Sequence, residues 1–404
     1  MIPLLRSLLV CLCVLSASQA VAEPFELKDG DKVVWLGSTL IEREQRYGYW
    51  ETDLTARWPD RKITFRNLAW SGDNVFGEAR LAFDINTPAL GLKRMVDLTL
   101  AEKPTVIFIC YGTNESFEGE AGLEKFQKGY EKLLDALAPA KARIVLMTPN
   151  RFENVGANNS KSKERNRDLA LYCNVIKEIS SRKQFHFIDL FGTIVEGYRE
   201  ADEPITFNGM HLDGLGYKVA EFYLRTELEG KNDRIETGGA DLVIFKEDGS
   251  VDARSVKAVA VKRPHPAFEL TAKQIPASHW NHKRYVLRVR GLPEGMHTLL
   301  IDGKVTRYVK TAEEWTKQVG IDSIAETDQV EQLRQAIIEK NQLYFYRWRP
   351  QNETYLLGFR KHEQGRNAKE IAEFDPLIAK MEEEINKLKK PKTHRYEIVP
   401  TEKK

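Results

Sequence analysis

Asp31-Lys32-Val33-Val34-Trp35-Leu36-Gly37-Ser38-Thr39-Leu40-Ile41-Glu42-Arg43 is the stretch from which the rest of the chain can be read. Val33 to Leu36 is a short apolar run of β-branched and aromatic residues, the composition of a buried strand. Gly37 ends it, two hydroxyls follow at Ser38 and Thr39, and a helical pattern begins near Glu42. A strand, a glycine, a hydroxyl and a helix in that order make a turn that displays an alcohol at the carboxyl edge of a parallel sheet, where open α/β folds bind ligands. The same signals describe an ordinary turn with a capped helix, so the other loops must decide.

Downstream, strands are predicted at Lys32 to Leu36, Lys62 to Arg66, Thr105 to Cys110, Arg143 to Met147 and Phe185 to Leu190. Helical patterns separate them, the first from about Glu42 to Trp58 with Tyr47, Trp50, Leu54 and Trp58 on one face. Near-continuous apolar strands alternating with helices predict right-handed βαβ units and a parallel sheet covered on both faces. The expected fold is therefore α/β, a flavodoxin-like three-layer sandwich with a five-stranded parallel sheet. In such a sheet the loops carrying Ser38 and Thr39, Gly72, Asn114 and His211 follow strands one, two, three and five. All four lie at the same edge.

The pattern changes after about residue 232. Runs at Leu242 to Phe245, Ala258 to Lys262, Tyr285 to Val289 and Thr298 to Ile301, separated by Asp-Gly turns, predict a small antiparallel β-sandwich-like unit over 236–310. A helical C-terminal region is expected over 311–404, with an Arg- and Trp-rich segment around Arg347 to Asn352, a last helix near Asp375 to Lys390 and an exposed tail from Pro391. The segment around Arg347 is expected either to fold over the site as a lid or to form a patch of stacked Arg and Trp.

The 404 residues are 30% charged with a net charge of +2, which excludes a general nucleic-acid or membrane-surface binder. Residues 1–22 read as a signal peptide, with Arg6, an apolar run from Leu8 to Leu15 and Ala20-Val21-Ala22 before an expected cut ahead of Glu23. The mature domain then starts near residue 24 and runs to about 232, and the protein is expected to be secreted or periplasmic, with no membrane span after cleavage. Cys110 and Cys173 are expected as buried free thiols, with a disulfide as the alternative, and no Cys/His spacing suggests a metal.

As a set, four blocks resemble the SGNH (GDSL-type) hydrolases over about residues 30 to 230: Gly37-Ser38-Thr39, Asn67-Leu68-Ala69-Trp70-Ser71-Gly72, Gly112-Thr113-Asn114 and Asn208-Gly209-Met210-His211. The resemblance implies ester hydrolysis without a cofactor. A hydroxyl attacks the acyl carbon, His211 serves as base, and Gly72 and Asn114 hold the oxyanion. It places the nucleophile on Thr39, the family's Asp on Ser38 and the orienting carboxylate on Asn208, each a departure from the family's Gly-Asp-Ser and Asp-x-x-His. Ser38 attacks only if the turn differs by one residue. Asp213 and Asp189 are the alternative carboxylates, although a helix cap and a strand end are the plainer roles for them. Asp73, Asn74, Trp70 and Tyr111, with Arg66, are expected to line a glycan cleft. The expected function is a secreted ester hydrolase acting on a small-molecule or glycan ester, with acetylated carbohydrate as its substrate. The alternative is a catalytically inactive glycan-binding protein of the same fold.

Overall fold

The computed structural model describes residues 24–81, 86–155, 161–198, 203–229, 242–246, 248–253, 257–261, 265–275, 285–321 and 324–401. The expected signal peptide lies outside them.

Five parallel strands form the first sheet: β1 (Lys32–Gly37), β2 (Thr64–Asn67), β3 (Val106–Cys110), β4 (Arg143–Met147) and β5 (His186–Ile188), in the order β2-β1-β3-β4-β5. Side chains alternate across the pleat, so each strand serves two cores. Val33, Trp35, Phe108 and Met147 face α1 (Thr39–Tyr47), α2 (Tyr49–Arg57) and the helix Gly214–Glu229. Val34, Leu36, Ile107 and Leu146 face helices Leu123–Leu137 and Ser162–Lys183 on the other side. Burial on both faces is why the strands read as continuous apolar runs. The single helix expected from Glu42 to Trp58 is instead two, because Gly48 at φ 69° caps α1 in the left-handed conformation and starts α2. The fifth strand is shorter than expected: Asp189 accepts the Gly192 N–H at 2.9 Å and opens an unanticipated helix at Leu190–Tyr198. Cys110 and Cys173 are free and buried.

The second unit is a sandwich of two sheets. One has the order β13 (Val319–Ile321), β10 (Tyr285–Val289), β6 (Leu242–Phe245), β7 (Val251–Ala253). The other has β12 (Lys304–Thr311), β11 (Met296–Ile301), β14 (Thr393–Pro400), β9 (Ala267–Thr271), β8 (Lys257–Val261). Phe268, Leu287, Trp315 and Tyr396 fill the space between them. Two expectations are corrected here. The unit does not end at 310, since β13 and β14 lie beyond it, and the segment from Pro391 is no exposed tail. β14 sits between β11 and β9, with Tyr396 and Ile398 both fully buried. The pairing is also mixed, because β6 and β10 run parallel.

Between β13 and β14, helices Ile324–Trp348 and Phe374–Leu388 return to the first sheet. The former covers its open edge. Lys340 Nζ donates to the Phe65 carbonyl of β2 at 3.2 Å and pairs with Glu51 at 2.6 Å, and Asn341 donates to the same carboxylate at 2.9 Å. A helix packed on the edge strand and bonded to one of its carbonyls shields that edge from pairing with another chain.

Candidate active site

The site grows from the end of β1. Gly37 has no room for a side chain, because a Cβ there would lie 2.6 Å from the Cys110 carbonyl oxygen of β3. Ser38 is extended (φ −94°, ψ −153°) and buried, and Thr39 is the first helical residue and half-buried. Both hydroxyls therefore sit at the amino end of α1, where unsatisfied N–H groups favour developing negative charge.

The loop after β2 supplies Gly72 at φ +78°, whose N–H donates to Thr39 Oγ1 at 3.1 Å. Three braces hold that loop. Asn67 donates to the Ile41 carbonyl at 2.7 Å; Glu42 accepts the Ser71 N–H at 2.6 Å and its hydroxyl at 2.9 Å. Asp73, fully buried, accepts from Arg80 at 2.6 Å. Burial pushes the Asp73 carboxyl above its ordinary pKa, opposed by Arg80. The loop after β3 supplies Asn114, whose amide donates to Ser38 Oγ at 2.9 Å and to the Asp73 carbonyl at 2.7 Å. Next to it, Glu115 accepts the Val75 and Gly112 N–H groups, each at 2.9 Å, and so ties the loops after β2 and β3 together. Its burial raises its pKa to about 7.

His211 lies in a hairpin-like loop closed by the Thr206–Leu212 bridge. Glu153 holds that loop by accepting the Thr206 N–H at 2.8 Å, and Asn150 donates to the Met210 carbonyl at 3.0 Å. Asn208 folds onto its own turn: Oδ1 accepts the Met210 N–H at 3.2 Å and the His211 N–H at 2.9 Å, leaving Nδ2 3.0 Å from His211 Nδ1. With its carbonyl so engaged, the Asn208 amide donates to Nδ1, and a neutral imidazole then carries its proton on Nε2. Burial, then the Arg43 charge, hold the His211 pKa below its usual value. Neither alternative carboxylate reaches this ring. Asp213 caps the next helix by accepting the Gly216 N–H at 2.9 Å, and Asp189 accepts from Thr148 at 3.0 Å and from Gly192.

Ser38, Thr39, Asn114 and His211 line one narrow cleft with a cavity volume of about 20 Å³. Gly72 adjoins it through Thr39, and Asn208 through His211. The glycan-cleft residues are not there. Asp73 and Tyr111 are buried against each other and Arg80; Asn74 caps its own turn by accepting the Phe76 N–H at 3.1 Å. Arg66 pairs with Glu382 at 2.5 Å. Trp70 faces a neighbouring groove that includes Phe345 and Phe359. There the Arg349 guanidinium lies 3.5 Å from its ring, and Trp348 meets it edge-on at 5.8 Å. The Arg347 to Asn352 segment is thus a packing patch beside the site, and none of it lines the cleft. Residues that the sequence reading did not single out for the site are Arg43, Thr113, Asn150 and Met210 in the cleft wall, and Glu115 and Glu153 behind it. Arg43 had a signal, four residues beyond Thr39 and hence on the same helix face. Among the described residues no group of three or more His, Cys, Asp or Glu is placed to hold a metal, and no helix is long and apolar enough to cross a membrane.

Residues 30–219 match the family model described as the GDSL-like lipase/acylhydrolase family. No curated protein matches the chain. Among solved structures, a gut microbial diltiazem-metabolizing enzyme is similar over 94% of this chain and 100% of its own, at 16% identity and TM-score 0.69, which extends the likeness in fold to the C-terminal half. An acetylxylan esterase from Geobacillus stearothermophilus is similar over 50% of this chain and 96% of its own, at 19% identity and TM-score 0.40.

Proposed function

From a chain whose residues 30–219 belong to the GDSL-like lipase/acylhydrolase family, we propose an ester hydrolase that removes a short acyl group, of the acetyl class, from a carbohydrate. The observation that carries this reading is the meeting of a half-buried hydroxyl, an amide donor and an imidazole in one small cleft. Thr39 Oγ1 attacks the carbonyl carbon and its proton passes to His211. The Gly72 N–H, the Asn114 amide and the Thr39 N–H at the start of α1 hold the oxyanion, each donor contributing about 3 kcal/mol. His211 then protonates the leaving alcohol, and water releases the acyl group. Thr39 is preferred to Ser38 because it is the more exposed of the two and already meets the Gly72 donor. The narrowness of the cleft favours a short acyl group over a long one, and the groove beside it, with Phe345 and Phe359, suits a sugar face. The N-terminal 22 residues support export.

One observation favours a second reading, ligand binding with little turnover: a donor, not an acceptor, faces His211 Nδ1. In this state Nε2 cannot take a proton from Thr39. The two readings separate in an aryl acetate assay of the wild type and His211→Ala. Hydrolysis by the wild type that the variant loses supports the esterase; rates for both equal to the buffer blank leave the binding reading.

A further inference from the structure

Arg43 is the one cleft-lining cation, and the activity proposed above gives it no task. It stands one helical turn beyond Thr39 on α1, and its guanidinium lies over Phe207, 4.8 Å from the ring centre. Phe207 in turn stacks on His211 at 5.8 Å. Several other buried or half-buried arginines are matched to carboxylates: Arg57 with Asp53, Arg66 with Glu382, Arg80 with Asp73, Arg349 with Glu42. Arg43 pairs with no carboxylate among the described residues, and its Nε is buried without a hydrogen-bond partner. A guanidinium held on an aromatic face in the wall of a cleft, without a carboxylate partner, is prepared for a planar anion.

We propose that Arg43 binds a carboxylate on the substrate, so that the cleft selects an acidic ester. This deepens the esterase reading and rests on it. The reach sets the geometry: positions four apart on a helix are about 5–6 Å apart at Cβ, so the carboxylate sits a few bonds from the acyl carbon. Two molecules meet that requirement. One carries the acid on the alcohol side, as an acetylated uronic acid does; the other carries it on the acyl side, as a dicarboxylic monoester does.

The test compares kcat/KM for matched acidic and neutral esters with the full-length protein, Arg43→Gln and Arg43→Lys. The alcohol arm uses acetylated methyl glucuronoside against acetylated methyl glucoside. The acyl arm uses mono-4-nitrophenyl succinate against 4-nitrophenyl acetate. In one arm the acidic-to-neutral ratio is expected to fall about ten- to a hundredfold in Arg43→Gln, the range for a hydrogen bond to a charged group, and to recover in part in Arg43→Lys. Which arm responds names the source of the carboxylate. An unchanged ratio in both arms, with the Gln variant folded by circular dichroism, overturns the proposal. If the wild type hydrolyses none of the four esters, the esterase reading fails separately. Calorimetric titration of glucuronate and of succinate then tests Arg43 alone: binding lost in Arg43→Gln supports it, and no binding to either protein overturns it.

Discussion

Replacing Asn208 by Asp is expected to raise esterase activity. At present the Asn208 carbonyl accepts two backbone N–H groups and its amide nitrogen lies 3.0 Å from His211 Nδ1. An aspartate in the same pose keeps both backbone bonds on one oxygen and presents the other to Nδ1. The ring proton moves to Nδ1, Nε2 becomes an acceptor, and the imidazolium formed during attack gains a negative neighbour. In the protease triad that serves as the general example, the reverse change, Asp to Asn, lowers kcat by about 10⁴ through the wrong tautomer. That factor corresponds to about 5.4 kcal/mol at 1.36 kcal/mol per decade. Thr39 stays a stiffer nucleophile than serine, so we expect about 10²- to 10⁴-fold in kcat on an aryl acetate. The inflection in the pH–rate profile should also move up, because a carboxylate at 208 opposes the burial and the Arg43 charge that now lower the His211 pKa. A folded Asn208→Asp variant with kcat no higher than the wild type would refute the tautomer argument.

Three further outcomes are expected. Thr39→Ala should abolish labelling by an organophosphonate probe detected by mass spectrometry, while Ser38→Ala remains labelled at residue 39; a label on residue 38 in the wild type would reassign the nucleophile. Burial raises the Glu115 pKa to about 7, above its unfolded value, so its contribution to stability is full below about pH 4.5 and is lost as pH rises through about 7, a swing of about 3 kcal/mol. Thermal melts at pH 5 and pH 8 should therefore differ less in Glu115→Gln than in the wild type, and an unchanged gap would show that another group carries it. Lys340→Met strands the Glu51 carboxylate with Asn341 as its remaining partner, and denaturant melts should lose about 3–5 kcal/mol; a loss under 1 kcal/mol would mean that the pair contributes little to holding the long helix on β2.

The parallel sheet was legible because burial on both faces leaves strands such as Val106–Cys110 nothing polar to carry. The order of the loops then placed Ser38, Thr39, Asn114 and His211 at one edge without knowledge of any distance. What stayed hidden depends on partners distant in sequence. Asp73 and Tyr111 look like ligands until Arg80 claims them, and no spacing announces that pairing. Arg43 stood in the first stretch quoted, yet its meaning comes from Phe207 and from its having no carboxylate partner among the described residues. β14 did carry an alternating pattern, with His394, Tyr396 and Ile398 buried and their neighbours less so, but the lysine-rich residues before it argued for solvent. The orientation of the Asn208 amide follows from two backbone bonds that no residue identity encodes.

The placement of β14 between β11 and β9 bears on synthesis. As the chain leaves the ribosome the parallel sheet already has its five strands, while the sandwich still lacks an interior one until residue 400 has emerged. Until then two strands flanking the gap expose unpaired backbone to whatever is near, so truncation or stalling before residue 393 should yield an intact α/β domain attached to a half-built, adhesive neighbour.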